Sequence, residues 1–141
     1  NHLLAENSPA NQYATLIAGR ATKSGEIEFV NAGHLPPVVI SNGEKSEFQI
    51  PGLPLGMFAD ARFPTGTVQL SPGDAILLFT DGVTEAVNCD GTEFGSARVI
   101  EALNGATEPA DLIRGCLDSV KTFRGDVASA DDLTMLAVTY A

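Results

Sequence analysis

Ala75-Ile76-Leu77-Leu78-Phe79-Thr80-Asp81-Gly82 is an apolar run of strand length that ends in a carboxylate and a glycine. A second acidic pair, Asp131-Asp132, stands just before another such run, Leu133-Thr134-Met135-Leu136-Ala137-Val138. One run carries its acid at the exit, the other at the entrance. Laid antiparallel side by side, the two strands would present both acidic pairs at one edge of a sheet. Carboxylates clustered there and facing water are hard oxygen donors of the kind that Mg²⁺ and Mn²⁺ prefer. Gly82 lets the backbone turn sharply and leaves room for an ion or a phosphate. Either acidic pair alone also fits an ordinary solvated turn. It is their placement on two long apolar strands that points to metal-assisted hydrolysis.

Working outward, Ser71-Pro72-Gly73-Asp74 is a turn that feeds the central run. Upstream, residues 13–21 are rich in strand formers and end at the turn Lys23-Ser24-Gly25. Residues 26–31 alternate, with Ile27 and Phe29 on one face and Glu26 and Glu28 on the other, so the two segments are predicted to form a hairpin. Ala32-Gly33-His34-Leu35-Pro36-Pro37 breaks the ladder, because neither proline has an N–H to donate. Val38-Val39-Ile40 resumes as a strand, Asn42-Gly43 turns it, and residues 46–50 are predicted to pair back. Residues 51–56 read as a stiff loop, 63–66 as irregular, and 68–70 as a short strand. Two helices follow the acidic exit. Residues 94–103 place Phe94, Ala97, Ile100 or Val99, and Leu103 near one face, with Asn104-Gly105 as the stop. Residues 108–123 carry Leu112, Cys116, Val120 and Phe123 at helical spacing, with Pro109 in the first turn. A closing strand is predicted over residues 133–140. Strands, then helices, then a strand argue α+β rather than alternating βαβ. No repeat or linker interrupts residues 1–141, which read as a single domain.

The totals exclude several function classes. With 18 Asp and Glu against 8 Lys and Arg, the formal net charge is −10. Nucleic acid and anionic membrane surfaces are therefore poor partners, since phosphates require a Lys/Arg footprint. Most of the acidity reads as plain solubility. At 141 residues and 44% hydrophobic content the chain can bury a real core. Cys89 and Cys116 belong to no metal or redox spacing, and reduced thiols in a cytoplasmic protein are expected. The sequence holds no signal peptide and no apolar stretch of membrane-spanning length.

The stretch from Gly73 to Ala86, Gly-Asp-Ala-Ile-Leu-Leu-Phe-Thr-Asp-Gly-Val-Thr-Glu-Ala, resembles the signature of the PPM metal-dependent protein Ser/Thr phosphatases. The likeness is to the bacterial branch named for stage II sporulation protein E (SpoIIE), which includes the RsbU-type phosphatases. Phe29-Val30-Asn31-Ala32-Gly33-His34-Leu35-Pro36-Pro37, Pro54-Leu55-Gly56, Glu93-Phe94-Gly95 and Asp131-Asp132-Leu133-Thr134 match the same family in the same order. The resemblance covers essentially the whole chain. It implies an αββα sandwich of antiparallel sheets with a two-metal Mn²⁺ or Mg²⁺ centre at one edge. It also implies a phosphorylated serine or threonine substrate on an anti-sigma-factor antagonist (STAS-type) protein in sigma-factor partner switching. Asp81 and Asp131 match catalytic metal ligands, and Asp132 is a third candidate ligand beside them. The family carries a further metal aspartate in Gly-Gly-Asp and Gly-Asp-Val-Ser-Gly motifs of an N-terminal half. No such motif precedes Tyr13, and Asn1 to Leu4 resembles the end of the helix after it. The expectation is a C-terminal portion of the phosphatase domain, with an incomplete site and little or no activity alone.

Other residues draw weaker readings. His34 is expected to fix its turn through local backbone hydrogen bonds rather than to act as a ligand. His2 sits at a chain end and carries little information. Asn88, Asp90 and Thr92 resemble the start of a calcium loop, but its sixth and twelfth places fall on Glu93 and Val99 instead of glycine and an acid. Arg20, Arg62 and Arg98 could contact a phosphate, though no spacing selects one of them. Glu85, one helical turn past Asp81, is a candidate hydrogen-bond partner for a group that holds metal, or a solvated acid. Two readings from other classes stand beside the enzyme. One is a non-catalytic pseudophosphatase that binds a signalling partner. The other is a homodimer of two copies paired across an exposed sheet surface.

Overall fold

The computed structural model describes residues 1–9, 11–106 and 108–141. Two compact units emerge, Asn1–Pro36 with Gln49–Leu70, and Pro37–Phe48 with Ser71–Ala141. The first unit carries a short helix α1 (His2–Asn7) and a sheet ordered β1 (Leu16–Ala21), β2 (Glu26–Ala32), β5 (Thr65–Gln69). The β1–β2 hairpin forms as its alternation dictates: Ile27 and Phe29 are buried, Glu26 is exposed and Glu28 is half-buried. In place of a strand over 13–15, the structure has one bridge, Ala14 to Leu55. β5 begins at Thr65, inside the stretch expected to be irregular. It pairs with β2 from Val30↔Thr65 to Glu26↔Gln69, so the long partner strand recruits Thr65 and Gly66.

The second unit holds a four-stranded sheet in the order β4 (Glu44–Glu47), β3 (Val38–Ser41), β6 (Ala75–Phe79), β7 (Met135–Thr139). Every neighbour pair in it is antiparallel. β3 and β6 lie in the middle, which is why Val38, Val39, Ile40, Ala75, Ile76 and Leu77 are all buried. The returning strand β4 starts at Glu44 instead of at Ser46. The cause is the two-residue turn Asn42-Gly43, both with positive φ (52° and 82°), which puts Ser41 directly opposite Glu44. Three helices complete the unit: α2 (Asp81–Thr84), α3 (Gly95–Ala102) and α4 (Pro109–Arg124). α4 packs against both β7 and α3. Its inner stripe, Leu112, Cys116 and Val120, is the expected one. On α3 the buried residue is Val99, flanked by Phe94 and Leu103, whereas Ala97 is exposed. The architecture is the antiparallel α+β class expected from the strand and helix order.

Candidate metal centre

β6 and β7 pair in register from Ala75↔Thr139 to Phe79↔Met135, so the exit of β6 meets the entrance of β7. One residue beyond that last pair, Thr80 links the two segments. Its N–H donates to the Thr134 carbonyl (3.0 Å), while its hydroxyl accepts from the Thr134 N–H (3.1 Å) and donates to the Asp132 carbonyl (3.4 Å). Asp81 follows at once as the first residue of α2, where a carboxylate is favoured by the unpaired N–H groups of the turn. The Gly82 N–H donates to Asp81 Oδ1 (3.0 Å). The Asp81 carbonyl accepts from the Glu85 N–H (2.8 Å) and the Thr84 hydroxyl (3.1 Å). The backbone of Asp81 is thus fixed, and its side chain is exposed.

Gly82 brings the second acidic pair in. A Cβ on it would overlap the Asp132 carbonyl, so only glycine lets this backbone lie against α2. On the β7 side, Ser129 Oγ donates to the Asp131 carbonyl (2.7 Å), and the Asp132 N–H donates to Asp131 Oδ1 (2.8 Å). Asp131 and Asp132 are exposed like Asp81. The structure therefore gathers the three sequence-predicted acids at one sheet edge. A cavity of about 60 Å³ opens beside Asp131, lined also by Gly82, Glu85, Ser129 and Arg124. Glu85, exposed at the end of α2, is among the lining residues. Arg124 lies in the last turn of α4, and no spacing in the sequence singles it out.

Exposed carboxylates on well-held backbone are suitable donors for a hard divalent cation. Among the described residues, however, no group of three His, Cys, Asp or Glu stands close enough together to hold an ion. Asp81 and Asp131 fit as part of a coordination shell that needs further donors to close.

The remaining candidates serve local structure. His34 closes its turn: its N–H donates to Asn31 Oδ1 (2.8 Å), its carbonyl accepts from Asn31 Nδ2 (2.9 Å), and its Nδ1 lies 2.9 Å from the Leu35 carbonyl. Asn88 Oδ1 accepts from the N–H groups of Asp90 (3.1 Å) and Thr92 (2.9 Å), which folds residues 88–92 into a tight loop. Arg20 pairs with Glu28 across β1 and β2 at 3.3 Å. Arg98 donates to the carbonyls of Glu93 (3.2 Å) and Phe94 (2.8 Å) and lies over the Phe123 ring at 4.7 Å. Among the described residues, no helix is long and apolar enough to cross a membrane.

Similarity to known proteins agrees with this geometry. Two curated proteins align with 98% of the chain, at 30% and 24% identity, and the chain spans 22% and 42% of their lengths. The first is protein IcfG of Synechocystis, and the second is phosphoserine phosphatase RsbU of Bacillus subtilis. The structure of the RsbU and RsbW domains of Rv1364c from Mycobacterium tuberculosis superposes with a TM-score of 0.76 at 25% identity, over 98% of this chain and 39% of that one. The phosphatase domain of the cell fate determinant SpoIIE from Bacillus subtilis, presoaked with Mn, gives 0.73 at 16% identity, over 96% of this chain and 61% of that one. The fold of these structural neighbours is the one seen here. The Stage II sporulation protein E model matches residues 1–141, and the chain belongs to that family.

Proposed function

We propose that this chain forms part of a metal-dependent protein phosphatase. Its substrate is phosphoserine or phosphothreonine on a small regulatory protein, an anti-sigma-factor antagonist of the STAS type, in bacterial sigma-factor partner switching. The observation that carries the reading is that the exit of β6, with Asp81, lies against the entrance of β7, with Asp131 and Asp132, where Gly82 packs on the Asp132 carbonyl. Asp81, Asp131 and Asp132 are the metal-ligand candidates, with Mn²⁺ or Mg²⁺ as the ion. When bound, such ions supply a water deprotonated near neutral pH and neutralise charge on phosphoryl oxygens. The chain's own contribution is to hold in place, before substrate arrives, the backbone that carries the acids, through Thr80, Gly82 and Ser129. No protein nucleophile is required by this chemistry.

The test is Mn²⁺-dependent release of phosphate from a phosphoserine protein by the complete phosphatase domain that contains this chain. Asp81→Asn and Asp131→Asn are each expected to lower kcat at least about 100-fold, the upper end of losses seen for groups that merely support a metal's ligands. Unchanged turnover in both variants would sink the reading. The non-catalytic alternative draws on the absence of a three-ligand group among the described residues. It predicts partner binding without hydrolysis, indifferent to Asp81→Asn.

A further inference from the structure

We infer that Arg124 is the phosphoryl-binding arm of this site, a substrate-positioning residue whose guanidinium takes a tetrahedral phosphoryl group in the cavity beside Asp131. The inference rests on the phosphatase reading above. Three observations lead to it. First, Arg124 lines the same cavity as Gly82, Glu85 and Asp131, so the residue stands beside the acidic edge. Second, its Nε is buried from solvent and has no hydrogen-bond partner. A buried N–H without an acceptor is costly, and turning the guanidinium towards the cavity would let a ligand oxygen relieve it. Third, among the described residues Arg124 forms no ion pair with Glu85 or Asp131, while Arg20, Arg98 and Arg114 are already held by Glu28, by backbone carbonyls and by Asp111.

Size agrees with this occupant. A cavity of about 60 Å³ matches roughly two waters' worth of liquid volume, on the scale of one phosphorus and its oxygens. Planar guanidinium matches two phosphoryl oxygens at once, which a lysine ammonium cannot do. Charge sets the order of events. Glu85 and Asp131 bring two acidic side chains to the cavity and Arg124 one basic one, so a phosphate dianion would need the acids neutralised, as bound divalent cations would do. Arg124 then supplies the half of the clamp that comes from the protein. A plain structural role competes: Arg124 sits in the last helical turn, where any cation is favoured by the α4 dipole. Lysine would serve that role equally, which makes Arg124→Lys the discriminating variant.

The experiment follows the Arg124 Nε–H resonance of the isotopically labelled chain in excess Mg²⁺, titrated with inorganic phosphate, with a phosphoserine peptide, and with chloride at matched ionic strength. Saturable shifts with phosphate and peptide, and none with chloride, are expected. A response to phosphate alone assigns the cavity to product, and a response to both assigns it to the substrate's phosphoryl group; each supports the arm. Gly82 and Asp131 amides should report binding weakened about 10-fold or more in Arg124→Gln and Arg124→Lys, with the rest of the spectrum retained as evidence of folding. In the complete phosphatase the same variants should raise KM and the phosphate inhibition constant in parallel, with kcat changed less. An equal response to chloride, or unaltered phosphate binding in Arg124→Lys, overturns the inference. The two readings fail separately. Loss of turnover in Asp81→Asn with KM unchanged in Arg124→Lys removes the arm and keeps the phosphatase. Phosphate binding that depends on Arg124 in a domain without turnover keeps the arm and removes the phosphatase.

Discussion

Gly82 shows how much of a site a single missing side chain can build. The Asp132 backbone occupies the place a Cβ would need, and backbone cannot rotate aside as the tip of a lysine would. Gly82→Ala should therefore cost about 1–3 kcal/mol in urea unfolding, the usual scale for overpacking, and should separate Asp131 from Asp81 enough to abolish metal-dependent turnover in the complete domain. Wild-type stability in that variant would mean that the close approach is not needed. Asp74 is a second residue with a hidden role. It reads as a turn residue, yet it is buried, and its carboxylate accepts from the Ser71 N–H (2.8 Å), the Ser41 hydroxyl (2.9 Å) and the Asn42 N–H (3.4 Å). The bond from Ser71 is the chief cause that lowers its pKa below the ordinary value, against the opposing effect of burial. A depressed folded pKa stabilises the protein above the unfolded value of 3.8, and this contribution fades as pH falls through the folded one. Asp74→Asn should accordingly lower stability at pH 7 and flatten the acid limb of a stability–pH curve below about pH 4. An unchanged acid limb would contradict that assignment. The placing of Asp81 and Asp131 at one sheet edge is legible in the sequence because acids bracket the two apolar runs that pair there. Arg124 and the burial of Asp74 are not, since each depends on a partner that only the folded chain supplies.

Among the elements, the central strands are the most readable. β3 and β6 are buried on both faces, so their continuous apolar composition identifies them without reference to neighbours. Edges are less readable. β4 and β5 take their limits from the register of the strand beside them, which composition does not encode. α4 is legible because one apolar stripe meets both α3 and β7. Within α3, Val99 and not Ala97 turns inward, a choice made by packing beside Phe94 and Leu103. Phe94 also meets the Phe123 ring edge-on at 5.3 Å, which joins the start of α3 to the end of α4. The inner stripe of α4 has a chemical signature. Burial pushes the Cys116 thiol up to about 11, while Cys89 is exposed. At pH 8 an alkylating reagent should label Cys89 in the native protein and reach Cys116 only after denaturant is added, as mass spectrometry of the peptides would show. Because the folded pKa is raised, the neutral thiol contributes stability below the ordinary value of 9.0, and that contribution is lost as pH climbs towards about 11. Labelling of both cysteines at equal rates would show that α4 opens readily.

On the scale of the whole molecule, a net charge of −10 bears on how metal binds. Divalent cations gather around such a chain whether or not a site exists, and that diffuse attraction is screened by salt within about 8 Å at physiological ionic strength. A true site behaves differently, because it depends on particular carboxylates and saturates. Asp81, Asp131 and Asp132 are the donors this chain offers, and among its described residues no group of three acids, histidines or cysteines completes a cluster. A shell with so few protein ligands should be weak, in the millimolar range of dissociation constants seen for the loosest oxygen sites. Linkage then sets the size of the effect: with free Mn²⁺ equal to the dissociation constant, the folded state gains only about 0.4 kcal/mol. Thermal unfolding of the chain in about 150 mM salt, where the diffuse term is screened, should thus show a small saturating increase in Tm at rising Mn²⁺. The increase should be absent from an Asp81→Asn Asp131→Asn double variant. Below that salt concentration a further increase should appear in both proteins alike. Micromolar saturation in the wild-type chain would show that these 141 residues close the coordination shell themselves, and the expectation of an incomplete centre would fall.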